Sequence, residues 1–297
     1  MAYALSRKDR SVQAALRRIA TEEIDRALAE IDDPDMPQPE KVHQVRKRAK
    51  RLRALIRLVR HAFPGYAAEN AAIRDAARGL SALRDSEARV ETFDKLMEAT
   101  HSGGFATIRT YLAAARDHAA ENAHSDDDLA RFRAELVALR KRVKHWRLTE
   151  KGFKALKPGI EKTFGAARRD LRLVHDRASD EDIHDWRKRV KAHWYHTKLL
   201  RRLRPKVLKD RAAKARDLGE LLGAHHDLAV LRAHIAGAAD LPIDADARAR
   251  FDRLAAARQA ELEDEARDLG TRLFSRPAKA IAHRWKGWWR DWRKAVA

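Results

Sequence analysis

One stretch, present twice, restricts this chain more than any other. Val42 to Arg60 reads VHQVRKRAKRLRALIRLVR, and Ile183 to Arg201 reads IHDWRKRVKAHWYHTKLLR. Setting His43 on His184, 141 positions apart, also matches Arg46 with Arg187, Lys47 with Lys188, Arg48 with Arg189, Lys50 with Lys191 and Arg57 with Lys198. A helix turns about 100° per residue, so Val45, Ala49, Leu52, Ile56 and Val59 form one apolar stripe. The other side gathers His43, Arg46, Lys47, Lys50, Arg53 and Arg57. A single charge run of this kind reads as a solvated face. Two copies, with no Asp or Glu between Val42 and Arg60, point instead to a polyanion that relieves the mutual repulsion.

The whole chain leans the same way. Its 297 residues carry 64 Lys+Arg against 44 Asp+Glu, a formal charge of +20. That balance suits nucleic acid, an anionic membrane surface or inorganic phosphate chains, and does not choose among them. With 12 Gly and 8 Pro and abundant Ala, Leu, Arg and Glu, the expected fold is all-α. No cysteine is present, which excludes disulfides and thiolate metal sites and fits a reducing cytoplasm. The N-terminal MAYALSRKDRSVQAALRR lacks the apolar run of a signal peptide, and no stretch reaches the ~20 apolar residues of a membrane span. A soluble, cytoplasmic protein is the expectation.

Along the chain, helices are expected from about Ser11 to Ile31 and through the basic stretch, with Pro39 in its first turn and Pro64-Gly65 at its end, and a further segment runs from Ala67 to about Ala99. Residues 74–85 and 216–227 both fit R-D-x4-L-x-A-x2-D, 142 positions apart. Leu112-Ala113-Ala114-Ala115-Arg116 recurs as Leu254-Ala255-Ala256-Ala257-Arg258 at the same spacing. Three matches in register indicate an internal duplication. The first half, 1–148, closes with a helix from about Asp128 to Trp146. The second, 149–297, opens at Pro158 with a helix over about Gly159 to Asp176, followed by a capping box at Ser179 and Asp182. Each half is expected to be an antiparallel, four-helix-type bundle.

The duplicated H-x2-R-[KR]-x-x-K helix, with the L-[SG]-A-x2-D segment after it, resembles the CHAD family of histidine-bearing α-helical domains that bind inorganic polyphosphate. The resemblance spans nearly the whole chain. It implies a single CHAD-like domain over 1–297, built of two bundles related by pseudo-two-fold symmetry around a central basic groove or pore. Carried over residue by residue, it implies polyphosphate contacts from His43, Arg46, Lys47, Lys50 and Arg57, and from His184, Arg187, Lys188, Lys191 and Lys198; Arg53, on the same helix face, is added to them. The cations of the other two repeats, Arg74 with Arg216 and Arg116 with Arg258, join that set. Association with polyphosphate granules, for storage or regulation, follows as an expectation.

Other residues receive structural readings. His193 takes the slot of core Leu52 and reads as a satisfied buried histidine. His225 and His226 diverge by about 100° on a helix and read poorly as metal ligands. Asp85 and Asp227 read as groups that orient cations or cap helices, and the tryptophans from Trp285 to Trp292 read as packing. Glu261-x-Glu263-x-Glu265 resembles the alternating acids of a triphosphate-cleaving strand but lies in a helical stretch. No Gly-rich phosphate loop occurs. The reading is therefore a non-enzymatic polyphosphate binder needing no cofactor or metal. A nucleic-acid-binding protein is the alternative, and a metal-dependent tri- or polyphosphatase the third.

Overall fold

A computed structural model describes residues 3–121, 125–176 and 179–294. Among them the chain forms eleven α-helices and two short 3-10 turns. In the first half these are α1 (Val12–Asp32), α2 (Gln38–Leu58), α3 (Tyr66–Arg78), a 3-10 turn over Gly79–Ser81, α4 (Ala82–Thr100), α5 (Ala106–Glu121) and α6 (Ser125–Val143). The second half contains α7 (Phe153–Asp176), α8 (Asp180–Leu200), a 3-10 turn over Arg201–Leu203, α9 (Pro205–Gly237), α10 (Ala245–Phe274) and α11 (Ala278–Lys294). The bounds of α2 and α8 lie 142 positions apart at both ends, the spacing of the sequence repeats. α9 occupies the positions of α3 and α4 but runs without the break at Gly79–Ser81.

Local signals set most of these limits. Ser11 caps α1 by accepting from the Ala14 amide, and Ser179 with Asp182 closes the expected capping box on α8. Several boundaries differ from expectation. α6 spans Ser125–Val143, three residues earlier at each end than the Asp128 to Trp146 expected. α2 ends at Leu58, and turns rather than helix carry the chain to Pro64. α7 starts at Phe153 and takes Pro158 into its second turn. A proline is tolerated in the first turn, where the amide it lacks has no intrahelical acceptor, and this one sits only slightly beyond it.

The halves share their interior. The main hydrophobic core joins Leu16, Ile19 and Ile24 of α1 and Leu52 and Ile56 of α2 to Phe164 of α7, Trp186 and Leu199 of α8 and Trp285 of α11. A second core lies where α4 and α5 of the first half meet α9 and α10 of the second, with Phe251 between Phe93 and Phe105. The halves come close at Gly159, where a Cβ would overlap the carbonyl of Leu58 at the end of α2. His196 of α8 binds the Ala54 carbonyl of α2 at 3.1 Å. The N-terminal segment adds bonds to both basic helices, from the Tyr3 hydroxyl to the Arg51 carbonyl and from the Leu5 amide to the Leu199 carbonyl.

The C-terminal tryptophans pack as expected. Trp285 and Trp292 are buried, and Trp289 lies against Phe153. Arg293 donates to the Asp9 carbonyl, tying α11 to the N-terminal segment.

Gly159→Ala is expected to lower stability by about 1–3 kcal/mol or more, because a backbone carbonyl cannot turn aside as a side chain does. Gly287, in α11 with nothing near its missing Cβ, is the control: Gly287→Ala is expected to raise stability by up to ~1 kcal/mol. Thermal or denaturant unfolding of the two variants checks both, and equal effects would contradict the contact at Leu58.

Candidate functional site

The two basic helices present their cations in sorted rows. On α2, Arg46, Lys50, Arg53 and Arg57 fall within about 60° of one another. Arg48 and Arg51 point elsewhere, onto Glu23 of α1, which is only 1% exposed and accepts from both at 3.0 and 3.2 Å. Arg48 also grips Glu30. Part of the repulsion expected within this helix is thus relieved by carboxylates that the linear sequence places far from it. Three of the remaining row line a cleft of about 280 Å³ between α2 and α3, where Arg46, Lys50 and Arg53 meet Arg74 and Arg78. No carboxylate lines it among the described residues. Arg46 donates to the Leu80 carbonyl at 2.7 Å and Arg53 to Asn70. Arg74 and Arg78 share Asp75. Burial, and then the neighbouring Arg57, lowers the pKa of Arg53.

On α8 the matching row is Arg187, Lys191, Trp194 and Lys198, with Trp194 in the place of Arg53. Its ring lies 5.2 Å from the Lys191 ammonium and 4.6 Å from that of Lys198. Arg187 and Lys191 of this row border a larger cavity of about 660 Å³ walled by α4, α8, α9 and α10. Gly219 and Gly223 of α9 leave the space in which the Lys191 stem and the Arg187 guanidinium lie against the helix. Arg258 lines this cavity, as do Lys95, Glu220 and Asp227. Arg187 makes no hydrogen bond or ion pair among the described residues, and its Nε is buried without a partner. Burial and then Arg187 lower the pKa of Lys191; burial and then Arg51 lower that of Lys198.

The remaining candidates are placed as follows. Lys47 lies within the electrostatic reach of Lys198 where α2 meets α8. His43 is exposed on α2, and Lys188 pairs with Asp185. Arg216 pairs with Asp217, and Arg116 with Asp117 on α5, outside either cleft. Asp85 is exposed in the first turn of α4. Lys95 and Arg78 were not singled out from sequence: Lys95 belongs to no repeat, and Arg78 is opposed by Glu220 at the matching position. Arg51 and Arg201 also join the cationic surroundings of Lys198.

Histidines fill structural and cleft-side positions. His193 is 1% exposed and accepts from Arg211 Nε at 2.9 Å, so it is a satisfied buried histidine. His225 is buried near Asp180 and Glu263, while His226 lies against His184 with ring centroids 4.0 Å apart and the rings tilted by 38°. The neighbours therefore face different ways. No group of three or more His, Cys, Asp or Glu placed to hold a metal occurs among the described residues. Glu261 pairs with Arg258 and Glu263 with Arg267 on α10. No helix among the described residues is long and apolar enough to cross a membrane.

Residues 9–236 match the CHAD domain family, and the chain belongs to that family. Two solved structures share its fold. The CHAD domain from the plant Ricinus communis is 20% identical, with a TM-score of 0.65, over 91% of this chain and 94% of that one. PptA from Streptomyces chartreusis is 18% identical, with a TM-score of 0.61, over 89% of this chain and 98% of that one. A comparison with curated protein sequences returned no match.

Burial also makes the fold sensitive to acid. It lowers the pKa of His196 to about 3 and that of His193 well below the usual range. Because His196 Nε2 donates to Ala54, its Nδ1 carries no proton and has no partner, so protonation would bury an unpaired N–H. The folded pKa values lie below the unfolded value near 6.5, and the unfolded chain takes up protons first. Stability is expected to be full above about pH 6.5 and to fall below it, by up to ~1.4 kcal/mol per pH unit for each such histidine. Melting curves from about pH 8 to pH 5 test this, and a flat midpoint would show that these rings are not held neutral.

Proposed function

We propose that this protein binds inorganic polyphosphate through the rows on α2 and α8, and that it holds the polymer without cleaving it. The observation that carries this reading is the cleft between α2 and α3, lined by Arg46, Lys50, Arg53, Arg74 and Arg78 with no carboxylate among the described residues. Such a site suits a flexible ligand with closely spaced negative charges and no sequence to read. A helix rises ~1.5 Å per residue, so His43 to Arg57 offers a track about 21 Å long. His184 to Lys198 offers the same. Charge-assisted hydrogen bonds from guanidinium and ammonium groups supply the affinity. Membership of the CHAD family agrees with this ligand. A binding role suits a cytoplasmic protein that stores polyphosphate or attaches to its granules. The acids that alternate along α10 are engaged with arginines, which supports a structural role for them over catalysis.

Labelled long-chain polyphosphate is expected to resist displacement by single-stranded RNA or DNA at equal phosphate concentration and near-physiological salt. Displacement by nucleic acid would instead favour the nucleic-acid reading. Affinity is expected to fall steeply with salt as counterions are released, and the slope to shrink by up to ~1 for each contacting cation removed. Arg46→Glu with Lys50→Glu is expected to weaken long-chain binding strongly, and Arg187→Glu with Lys191→Glu to do likewise. Wild-type binding by the second pair would show that α8 does not share the ligand. Sustained phosphate release on addition of magnesium, manganese or calcium would overturn the non-catalytic assignment.

A further inference from the structure

The clefts beside α2 and α8 occupy matching places but differ in chemistry. Beside α2 every charged lining residue among the described residues is a cation, and the nearby Asp75 is engaged by Arg74 and Arg78. Beside α8, Arg187 and Lys191 share the cavity with Glu91 and Glu98 of α4 and with Glu220 and Asp227 of α9, the last two close enough to Lys191 to act on its charge. An internal unit of a phosphate chain carries one ionised oxygen and no proton, so it gains nothing from a carboxylate and is repelled by it. A terminal phosphate differs. Its second ionisation lies near pH ~6 for a phosphoryl monoester, so near neutrality it offers ionised oxygens and, in part of the population, a P–OH that donates to a carboxylate.

The surrounding backbone makes the two arginines unequal as well. Arg46 is occupied by the Leu80 carbonyl at the 3-10 turn between α3 and α4. At the matching position α9 is unbroken, and Arg187 Nε is left buried with no hydrogen-bond partner among the described residues. Lys191 beside it makes no ion pair among the described residues. Arg187 and Lys191, neither held in a direct ion pair among the described residues, stand at the wall of a cavity of about 660 Å³, where a buried guanidinium N–H without an acceptor suits an anionic oxygen, and that volume falls within the ordinary range for small ligand groups.

Resting on the polyphosphate reading, we propose that the cavity between α4, α8, α9 and α10 takes the terminal phosphate of a chain. Arg187 and Lys191 bind its ionised oxygens, and Asp227 or Glu220 accepts its P–OH. The α2 cleft then carries internal units. The same chemistry would suit the phosphate of a small monoester, so the test includes one.

Isothermal titration with linear tripolyphosphate, cyclic trimetaphosphate, which has no ends, and a nucleoside monophosphate compares wild type with the Asp227→Asn, Glu220→Gln double variant at constant salt. Wild type is expected to bind the linear ligand at least about tenfold tighter than the cyclic one, and tighter than the monoester. In the variant the linear-to-cyclic ratio is expected to shrink to within about threefold. Simple electrostatics predicts the opposite, because removing negative charge favours the more highly charged linear ligand most. A ratio that rises or stays constant overturns the proposal, as does a monoester that binds tighter than tripolyphosphate. If wild type fails to bind long-chain polyphosphate, the functional reading itself falls; long-chain binding with a rising ratio sinks only the chain-end assignment.

Discussion

The buried carboxylate of Glu23 is the constraint on which the basic face depends. At 1% exposure it needs counter-charges, and Arg48 and Arg51 supply them from α2. Removing one partner of such a buried arrangement typically costs about 3–5 kcal/mol, because the other charges remain in place without compensation. Those bonds fix the rotation of α2 about its axis. With Arg48 and Arg51 turned to α1 and the apolar stripe turned to the core, Arg46, Lys50 and Arg53 have one direction left, into the cleft beside α3. A helix so rich in cations is therefore divided by a single acid into a structural side and an accessible side.

The second half reaches a related surface by different means. Ala192 and Trp194 stand where α2 has Arg51 and Arg53. The Trp194 ring lies beside the ammonium groups of Lys191 and Lys198, an attraction between cation and aromatic face that holds both lysines along the helix. Glycines on α9 leave space for Lys191 and Arg187 to lie close against the helix. The continuous α9 also withholds the carbonyl that the broken first-half helix offers to Arg46. Helices matched in position therefore carry unequal hydrogen-bonding demands.

Contacts across the halves hold the two rows in a fixed relation. Gly159 against Leu58, and His196 against Ala54, join backbone to backbone or ring to backbone, where there is little freedom to slide. The α4–α5 hairpin extends the union by burying Phe93 and Phe105 on α9 and α10. Close packing makes such joints respond to small volume changes. The cavity beside α8 is consequently built from both halves, since α4 supplies one of its walls.

Much of this was legible in the chain itself. The helical period, the scarcity of Gly and Pro and the repeats near 141 and 142 positions specified an all-helical protein and marked Arg46, Lys50, Arg53, Arg187 and Lys191 as one kind of residue, because periodicity and charge are properties of neighbouring positions. The burial of His193 was legible for the same reason, from its place on the apolar stripe. What each cation faces was not. Glu23 lies 25 positions before Arg48, Lys95 lies outside every repeat, and the difference between Arg46 and Arg187 rests on whether a helix 34 or 35 residues further on is broken. Only tertiary structure decided these pairings, since a buried charge takes its partner from whatever element packs against it, and linear spacing carries no record of that choice.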